Sequence, residues 1–399
     1  MSVREAYGVR LLFDQRFLRI ALAFVLGLTL TFRILQLLAL TGDEYWGYDL
    51  SSYTGSGQLV LEGKSPYWDF QLEGTYKPQG PRGLYTYPPF LAAAFVPAAA
   101  VFDDDTFANW FWLAFGAVLL AIVVIRVAKR EHIADGWDLV LLLMAAFAFA
   151  PVQGELFIGN VHLLLLGLLG GAYLALRRET QTGEIVGGAL IATAAMVKIF
   201  PVLMIVWLLL ARRFRAFGAS VVTLVALVLL TLPVTGVQPW LDYPTILMNL
   251  GPPVEFGHVL APSAWLWNVM PEPVARAVVL TTAGIILVYA TLRRTEPVSF
   301  GIAVALSILS APALYHHYLA IMILPLLIGL RHTTNVAWVV VAFILMSVGG
   351  QSIEGDAMWI GSRALPTIGA LLVVVGLLVW GARRGEVAPL APSPQLAAA

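Results

Sequence analysis

The chain has 399 residues, of which 59% are hydrophobic and 12% are charged, and its mean hydropathy is +0.83. Its 24 basic residues balance its 24 acidic residues, so no excess positive charge indicates nucleic acid, and we expect no nucleic-acid partner. The absence of cysteine excludes disulfides and cysteine metal sites. This composition is typical of a polytopic protein of the lipid bilayer.

Thirteen apolar runs follow one another along the chain. The first, at 17–40, follows Arg4, Arg10 and Arg16 and lacks a small-residue cleavage site, so we interpret it as a retained transmembrane helix. The others lie at about 88–102, 107–127, 137–152, 160–176, 184–199, 201–211, 215–236, 274–292, 298–313, 317–330, 334–349 and 364–382. No strand alternation or internal repeat is evident, and helices satisfy their backbone hydrogen bonds within lipid. The predicted fold is therefore an all-α bundle.

A polar, aromatic-rich segment at 41–89 separates the first run from the second. Tyr or Trp occurs nine times in it, and charged residues gather there at Asp43, Glu44, Asp49, Asp69, Lys77 and Arg82. An apolar chain has little reason to gather charges unless they face water, and aromatic rings with a polar edge favour the membrane interface and also stack against sugar rings. We therefore predict that 41–89 is the first extracytoplasmic loop and contains the active site.

Basic residues predict the orientation of the chain in the membrane. Beyond the N-terminus they cluster at Arg126/Lys129/Arg130, Arg177/Arg178, Arg212/Arg213/Arg215, Arg293/Arg294, Arg331 and Arg383/Arg384. From Arg130 onward two runs separate each cluster from the next, so all six clusters fit on the cytoplasmic side. Three runs precede Arg126, so one of them should not cross, and we expect that one to be 88–102, since fifteen residues of helix span only about 22 Å. The prediction is about twelve transmembrane helices with both termini inside.

The same count places the remaining polar segments on the outer side, together with the 41–89 loop. These segments are 153–162, 198–201, 237–273 and 315–318. We predict one integral membrane domain over 1–385, followed by a disordered tail at 386–399 that is rich in Pro and Ala.

Several short motifs resemble a known family of enzymes. Asp49 with Tyr53 four residues later, LEGKSPY at 61–67 and YTYPPFLAAAFVP at 85–97 resemble the first-loop signature of glycosyltransferase family 87. Lys198 followed by Pro201, and His317-Tyr318 within SAPALYHHYLAIMILP at 310–325, resemble two later motifs of that family. The resemblance covers about 45–330 and implies a polyprenyl-phosphate-mannose-dependent mannosyltransferase with a GT-C fold.

The resemblance implies that Asp49 is the catalytic aspartate, and Asp43 is the alternative. Direct displacement at the anomeric carbon of a sugar needs a base that takes the proton of the acceptor hydroxyl, whereas a lipid phosphate departs as an anion and needs no acid. One carboxylate is therefore sufficient. The other interpretation of Asp49 is a solvated interfacial aspartate.

Lys198 is the main candidate for binding the donor phosphate, because an ionisable residue in an apolar segment is costly and usually functional. A lysine that snorkels to the interface is the alternative. Lys77 and Arg82 are further phosphate candidates, and both residues equally fit a solvated loop.

Other candidate ligands of the donor sugar or phosphate are Tyr53, Asn160, His162 and His317. Asn160 and His162 lie in Gly159-Asn160-Val161-His162, where the family often has Gly-Gln-x-Asn. His316 and His317 are adjacent, so on a helix their side chains point about 100° apart and cannot bind one metal ion together. We favour His317 as a hydrogen-bond donor, against an ordinary packed histidine.

The predicted function is an inverting transfer of a hexose, expected to be mannose, from a polyprenyl phosphate to a glycan, glycolipid or protein acceptor at the extracytoplasmic face of the cell membrane. We expect no cofactor and no metal, because a phosphate-binding Gly-x4-Gly-Lys-Ser/Thr motif is absent and the active loop has no Asp-x-Asp.

A secondary transporter or lipid flippase is the alternative, although transporters tend to show inverted repeats. A polymerase or ligase of lipid-linked glycans is a third possibility, with 237–273 as its large polar loop.

Overall fold

The computed structural model describes residues 16–74, 83–101, 105–249, 259–267, 269–311, 313–348 and 360–385. Within these ranges the regular structure is helical, apart from two isolated bridges, so the all-α prediction is confirmed. The helices are α1 Arg16–Leu40, α2 Tyr48–Leu61, α3 Pro89–Val101, α4 Asp105–Arg130, α5 Gly136–Ala148, α6 Ala150–Ile158, α7 His162–Leu176, α8 Gln181–Val197, α9 Val202–Leu210, α10 Phe214–Thr235, α11 Gln238–Asn249, α12 Pro262–Leu266, α13 Glu272–Arg293, α14 Glu296–Leu309, α15 Ile323–His332, α16 Ala337–Ser347 and α17 Ile360–Trp380. Asp69–Gln71 and His316–Met322 form 3₁₀ turns.

Five helices in the described part of the chain are long and apolar enough to cross a membrane, namely α1, α4, α10, α13 and α17. The bent pair of α5 and α6 makes a sixth if it forms one span. Large apolar side chains such as Phe17, Val222 and Leu229 are exposed on these helices, as expected of surfaces that face lipid. The chain is a polytopic α-helical membrane protein, and the number of about twelve crossings stays a prediction.

Charged residues join several helices at one end of the bundle, where the predicted basic clusters lie. The Glu131 carboxylate, just after α4, accepts hydrogen bonds from Tyr173 at 2.8 Å and Arg177 at 3.2 Å and lies 2.8 Å from His332 Nε2. A second group joins α8, α10 and α14, because Arg213 pairs with Glu184 at 3.0 Å and with Glu296 at 2.7 Å. We call this end the basic end.

His162 and Lys198 lie at the opposite end of the bundle from these charged groups, at the ends of α7 and α8. α7 begins at His162 and reaches the basic end at Leu176, and α8 runs back from Gln181 to Val197, directly before Lys198. Fifteen helical residues span about 22 Å, so the two groups of charges are separated by the apolar core. The end that contains His162 and Lys198 is the site end.

The segment 41–105 begins and ends at the site end. The Asn109 amide donates to Trp46 O at 3.2 Å, and Glu44 and Asp105 line one cavity. Between these points lie α2 and α3, which contact each other. The active-site loop predicted at 41–89 is thus helical over Tyr48–Leu61, and Gly47 starts this helix with a φ of 76° that favours glycine.

A sharp bend of 57° at Phe149 separates α5 from α6. Pro151 has no N–H to donate, so the helical hydrogen bond that its position would make is lost. The Gln153 side chain donates to Phe147 O at 2.8 Å and so provides a replacement partner for that carbonyl. The bend turns α6 toward the bundle, and α6 brings Glu155 to the site end.

Candidate active site

The centre of the site is the carboxylate of Asp49, in the first turn of α2. Asn160 donates from Nδ2 to Asp49 Oδ2 at 2.5 Å, and His317 Nε2 lies 3.6 Å from the same oxygen. The Asp49 side chain remains 17% exposed, whereas Asn160 and His317 are 3% and 2% exposed. A carboxylate with this environment is held in place and can still be reached by a bound molecule.

Asn160 is positioned by a tight turn that only glycine fits. Gly159 ends α6 with a φ of 72°, and a Cβ there would lie 2.9 Å from the Cβ of Leu50. Val161 N donates to Asn160 Oδ1 at 2.6 Å, and Trp112 Nε1 donates to Asn160 O at 3.0 Å. These bonds fix the amide so that its NH₂ group faces Asp49.

The two adjacent histidines face different surroundings. His316 Nε2 lies 2.8 Å from Met346 O, in contact with a neighbouring helix. His317 faces Asp49 and Asn160, and its Nδ1 is buried without a hydrogen-bond partner in the described part of the chain. A buried polar atom without a partner is costly, and it commonly marks a place where a ligand or water completes the hydrogen bonding.

Lys198 enters the same site from the turn between α8 and α9. Its backbone is extended, with φ −152° and ψ 136°, because the helix ends there before Pro201. The ammonium lies 3.0 Å from His162 Nε2 and 3.7 Å from the centre of the Tyr318 ring. This is a cation–π contact of a buried cation rather than a snorkelling arrangement, since Lys198 is only 9% exposed.

Tyrosines close the site on the side of α2 and α3. Tyr53 and Tyr87 are buried, and their hydroxyls are 3.1 Å apart. Tyr87 also lies 3.5 Å from Asn160 Nδ2, and its ring is 5.0 Å from the Lys198 ammonium. The structure thus brings Tyr53, Asn160, His162, Lys198 and His317 around Asp49.

The remaining predicted residues lie outside this cluster. Asp43 Oδ1 accepts a hydrogen bond from Tyr45 N at 2.8 Å, which is the geometry of an Asx turn before α2. Lys77 and Arg82 lie outside the described residues, as does the tail 386–399.

A family model of glycosyltransferase family 87 matches residues 85–312, which is more than half of the chain. The chain belongs to glycosyltransferase family 87. A search of curated proteins found no significant match. Membership of family 87 indicates a membrane glycosyltransferase that uses a sugar donor and an acceptor. The match includes Asn160, His162 and Lys198, whereas Asp49 lies 36 residues before it and His317 five residues after it, and both join the site through the fold.

The sequence did not predict Glu155, Tyr87 or Tyr318 as ligands in this family 87 site, and Glu155 is the one that carries a charge. Glu155 is 1% exposed, and its Oε2 lies 3.0 Å from His162 Nδ1. Its Oε1 accepts from the backbone N–H of His162 at 2.5 Å and of Leu163 at 3.4 Å, at the start of α7. A signal existed, because a lone carboxylate in an apolar stretch is costly to bury.

Glu155, His162 and His317 offer ligand atoms that all lie within 4.8 Å of one another, which is close enough for one metal ion. Both ring nitrogens of His162, however, already have a partner, Glu155 on one side and Lys198 on the other. The ammonium of Lys198 thus lies where a metal cation would have to approach His162, and two cations repel each other. The arrangement fits a buried ion cluster better than a metal centre.

Two cavities flank α2 beside Asp49. One, of about 300 Å³, is largely apolar and lies between Leu50, Phe90, Phe95, Phe111, Trp112 and Val197. The other, of about 200 Å³, has polar and aromatic walls that include Glu44, Trp46, Tyr48, Ser51 and Asn109. Leu50 and Thr54 line both cavities, so α2 separates an apolar space from a polar one.

The site alters the proton affinity of its charged groups, which lie outside the spanning helices. Burial raises the pKa of Asp49 to about 6, although the Lys198 ammonium and the Asn160 hydrogen bond oppose the rise. Burial lowers the pKa of Lys198 to about 7, against the attraction of Asp49 and Glu155. At neutral pH the Asp49 carboxylate is therefore ionised, yet it accepts a proton more readily than an ordinary aspartate.

Proposed function

We propose that this family 87 protein transfers a hexose, expected to be mannose, from a polyprenyl phosphate to an acceptor hydroxyl, with inversion at the anomeric carbon. The observation that supports this most strongly is the position of Asp49. A partly exposed carboxylate interacts electrostatically with a buried ammonium, and the next residue, Leu50, lines an apolar cavity, so groups suited to a base and a phosphate ligand lie near space suited to a lipid.

Asp49 is proposed as the general base. The acceptor oxygen forms a bond to C1 of the sugar, while the bond from C1 to the phosphate oxygen breaks and its electron pair stays on the phosphate. The acceptor proton passes to Asp49, whose raised pKa of about 6 is closer to the operating pH than that of an ordinary carboxylate. Asn160 holds the carboxylate in the orientation that this step needs.

Lys198 is proposed to bind the donor phosphate, with His317 as an additional ligand. The ammonium is the only cationic side chain that contacts this cluster in the described part of the chain, and a phosphate gains a charge-assisted hydrogen bond from it. The unpartnered Nδ1 of His317 can donate a second bond. Tyr53 and Tyr87 border the space in which the sugar would lie.

The apolar cavity supports a lipid-linked donor rather than a free sugar nucleotide. Its walls include Leu50 and Val197, the sequence neighbours of Asp49 and Lys198. An isoprenoid chain in this cavity would leave its phosphate next to the ammonium. The acceptor, whether glycan, glycolipid or protein, would then approach Asp49 from its exposed side.

The site end is proposed to face the extracytoplasmic side of the cell membrane, since the basic end follows the positive-inside rule. Because the native chain has no cysteine, single cysteines test this without background. Lys64, exposed in the loop after α2, and Gln181, exposed at the start of α8, are suitable positions. A membrane-impermeant thiol reagent should label Lys64→Cys in intact cells and not Gln181→Cys, and the reverse pattern would contradict the outward-facing site.

The reaction is tested with purified protein in liposomes that contain a membrane lipid extract. Radiolabelled polyprenyl-phosphate-mannose should give a labelled product, whereas a nucleotide-linked mannose should not. If the labelled lipid only changes leaflet, with its sugar still attached, the protein is a flippase and not a transferase. Transfer from the nucleotide sugar instead would contradict the lipid donor.

A further inference from the structure

Glu155 is buried at the site end and lines neither of the two cavities that flank α2. It is 1% exposed, and its hydrogen-bond partners are the backbone of His162 and Leu163 and the ring of His162. An acidic side chain at the start of α7 also interacts favourably with the helix dipole. These contacts give Glu155 a fixed position relative to His162.

The contacts of His162 on its two sides determine which of its nitrogens carries the proton. The Lys198 ammonium only donates hydrogen bonds, so Nε2 of His162 accepts from it, and the proton of the neutral ring is on Nδ1, 3.0 Å from Glu155 Oε2. The lone pair of a neutral imidazole is then on Nε2, which faces the Lys198 ammonium at 3.0 Å. His162 is 0% exposed and therefore transmits this contact without competition from water.

Lysine has a long flexible side chain, and a fixed ammonium needs fixed partners. Lys198 has His162 on one side and the ring of Tyr318 at 3.7 Å on the other. Two of its three N–H groups remain for other acceptors. The orientation of these N–H groups thus depends on His162, and through His162 on Glu155.

We propose that Glu155 is a positioning residue that holds the Lys198 ammonium, through His162, where it meets the phosphate of the lipid-linked donor. The identity of the ligand rests on the proposed function, whereas the contacts from Glu155 through His162 to Lys198 do not depend on it. Electrostatic attraction by Glu155, like that by Asp49, also raises the pKa of Lys198 against the effect of burial.

The first measurement needs no substrate. The chain contains four lysines, at Lys64, Lys77, Lys129 and Lys198, so ¹⁵N-lysine NMR of the full chain in detergent gives few signals, and Lys198→Arg identifies the one from Lys198. We expect the Lys198 signal to titrate near pH 7 in the native protein and about one pH unit lower in Glu155→Gln. An unchanged titration in a folded Glu155→Gln protein would overturn the proposal.

The second measurement is kinetic, with polyprenyl-phosphate-mannose as donor. Glu155→Gln should raise the donor KM about 10-fold and change kcat much less, since the residue acts on binding through Lys198. In the double variant with Lys198→Ala, Glu155→Gln should raise the donor KM hardly further than Lys198→Ala alone, because the group that Glu155 positions is gone. Additive losses, or a loss of folded protein with a normal KM, would contradict the positioning role.

Glu131→Gln is the matched control, because Glu131 is also a buried carboxylate that contacts a histidine and lies at the basic end. It should leave both the Lys198 titration and the donor KM unchanged. If the Lys198 titration shifts in Glu155→Gln but the native protein does not use the polyprenyl donor, the proposed function fails and the positioning role stands. If the native protein uses the donor and Glu155→Gln behaves as the native protein does, only the positioning role fails.

Discussion

Two clusters of buried charge lie at opposite ends of the helical bundle, and they differ in how well their charges are satisfied. At the basic end the Glu131 carboxylate has three partners, Tyr173, Arg177 and His332, at 2.8 to 3.2 Å. These bonds lower the pKa of Glu131 to about 2 despite its burial. This cluster joins α4, α7 and α15, and its chemistry is complete without a ligand.

At the site end two carboxylates, Asp49 and Glu155, share one ammonium. Burial raises the pKa of Asp49 to about 6, and His317 has a buried nitrogen without a partner in the described part of the chain. Buried polar or charged groups that lack hydrogen-bond partners lower the free energy of unfolding. Proteins retain such groups where binding or catalysis requires them. The basic end is therefore suited to stabilising the fold, whereas the site end keeps groups that are suited to binding a ligand.

The largest expected effect on turnover is that of Asp49→Asn. The amide keeps the shape of the carboxylate and cannot take the acceptor proton, so turnover should fall about 10²- to 10⁴-fold. Donor binding should stay close to that of the native protein, and the melting temperature should not fall, because the amide removes an unfavourable buried charge. Steady-state transfer and a melting curve in detergent measure both.

Asp43→Asn is the control for that variant, because Asp43 lies in the turn before α2. It should keep near-normal turnover. An inactive Asp43→Asn together with an active Asp49→Asn would move the base to the other carboxylate.

A smaller effect is expected for Lys198→Ala. Loss of a charge-assisted bond to phosphate costs about 1.5 to 3 kcal/mol, or about 10- to 150-fold in donor affinity. Lys198→Arg should recover part of the affinity, since it restores the charge but not the position of the ammonium. Binding of polyprenyl phosphate measures the change, and an unchanged affinity in Lys198→Ala would refute the phosphate role.

Acidification should affect turnover through Asp49 at the site end and stability through Glu131 at the basic end, in different pH ranges. Turnover should fall about tenfold per pH unit below about pH 6, as the base Asp49 becomes protonated. Because the pKa of Asp49 is raised on folding, protonation of Asp49 relieves an unfavourable charge, and this part of the stability increases as the pH falls from 6 toward 4.

The Glu131 contribution to stability has the opposite sign. Its pKa is lowered on folding from about 4.5 to about 2, so its stabilisation is present above about pH 4.5 and is lost between 4.5 and 2. Activity should therefore disappear at a higher pH than the fold. Parallel loss of turnover and of helical circular dichroism on acidification would contradict the separation.

The smallest effect on turnover is expected for Glu131→Gln. This variant removes the charge that pairs with Arg177 and His332, and it should lower the free energy of unfolding by about 1 to 3 kcal/mol. Turnover per folded molecule should stay within about twofold of the native value. A folded Glu131→Gln protein with a large loss of turnover would mean that the basic end contributes to catalysis.

The sequence predicted the long helices well, because continuous apolar runs determine them almost alone. The run at 107–127 corresponds to α4, Asp105–Arg130, and the run at 160–176 to α7, His162–Leu176. Helix α2 was not predicted, because Gly55 and Gly57 disfavour a helix in isolation. Close packing of Gly57 on the backbone of Phe95 overrides that preference.

The site was harder to predict than the helices, because its residues come from five separate segments. Motifs indicated Asp49, Lys198 and His317 singly, but nothing in the sequence shows that Asn160 bonds to Asp49 across 111 positions. Glu155 was not predicted because its contact with His162 arises from the bend at Phe149 and the turn at Gly159. Likewise, only the fold shows that Asp49 lies in this cluster whereas Asp43 lies in the turn before α2.

Asp49 is proposed to take the proton of the acceptor hydroxyl during an inverting transfer from a polyprenyl phosphate. A single-turnover experiment, with native and Asp49→Asn protein preloaded with polyprenyl-phosphate-mannose and then mixed with acceptor, measures that step apart from donor binding. We expect equal loading of the two proteins, an Asp49→Asn rate constant at least about 100-fold lower, and a product whose anomeric configuration is opposite to that of the donor. Equal rate constants, or a product with the donor's configuration, would contradict it.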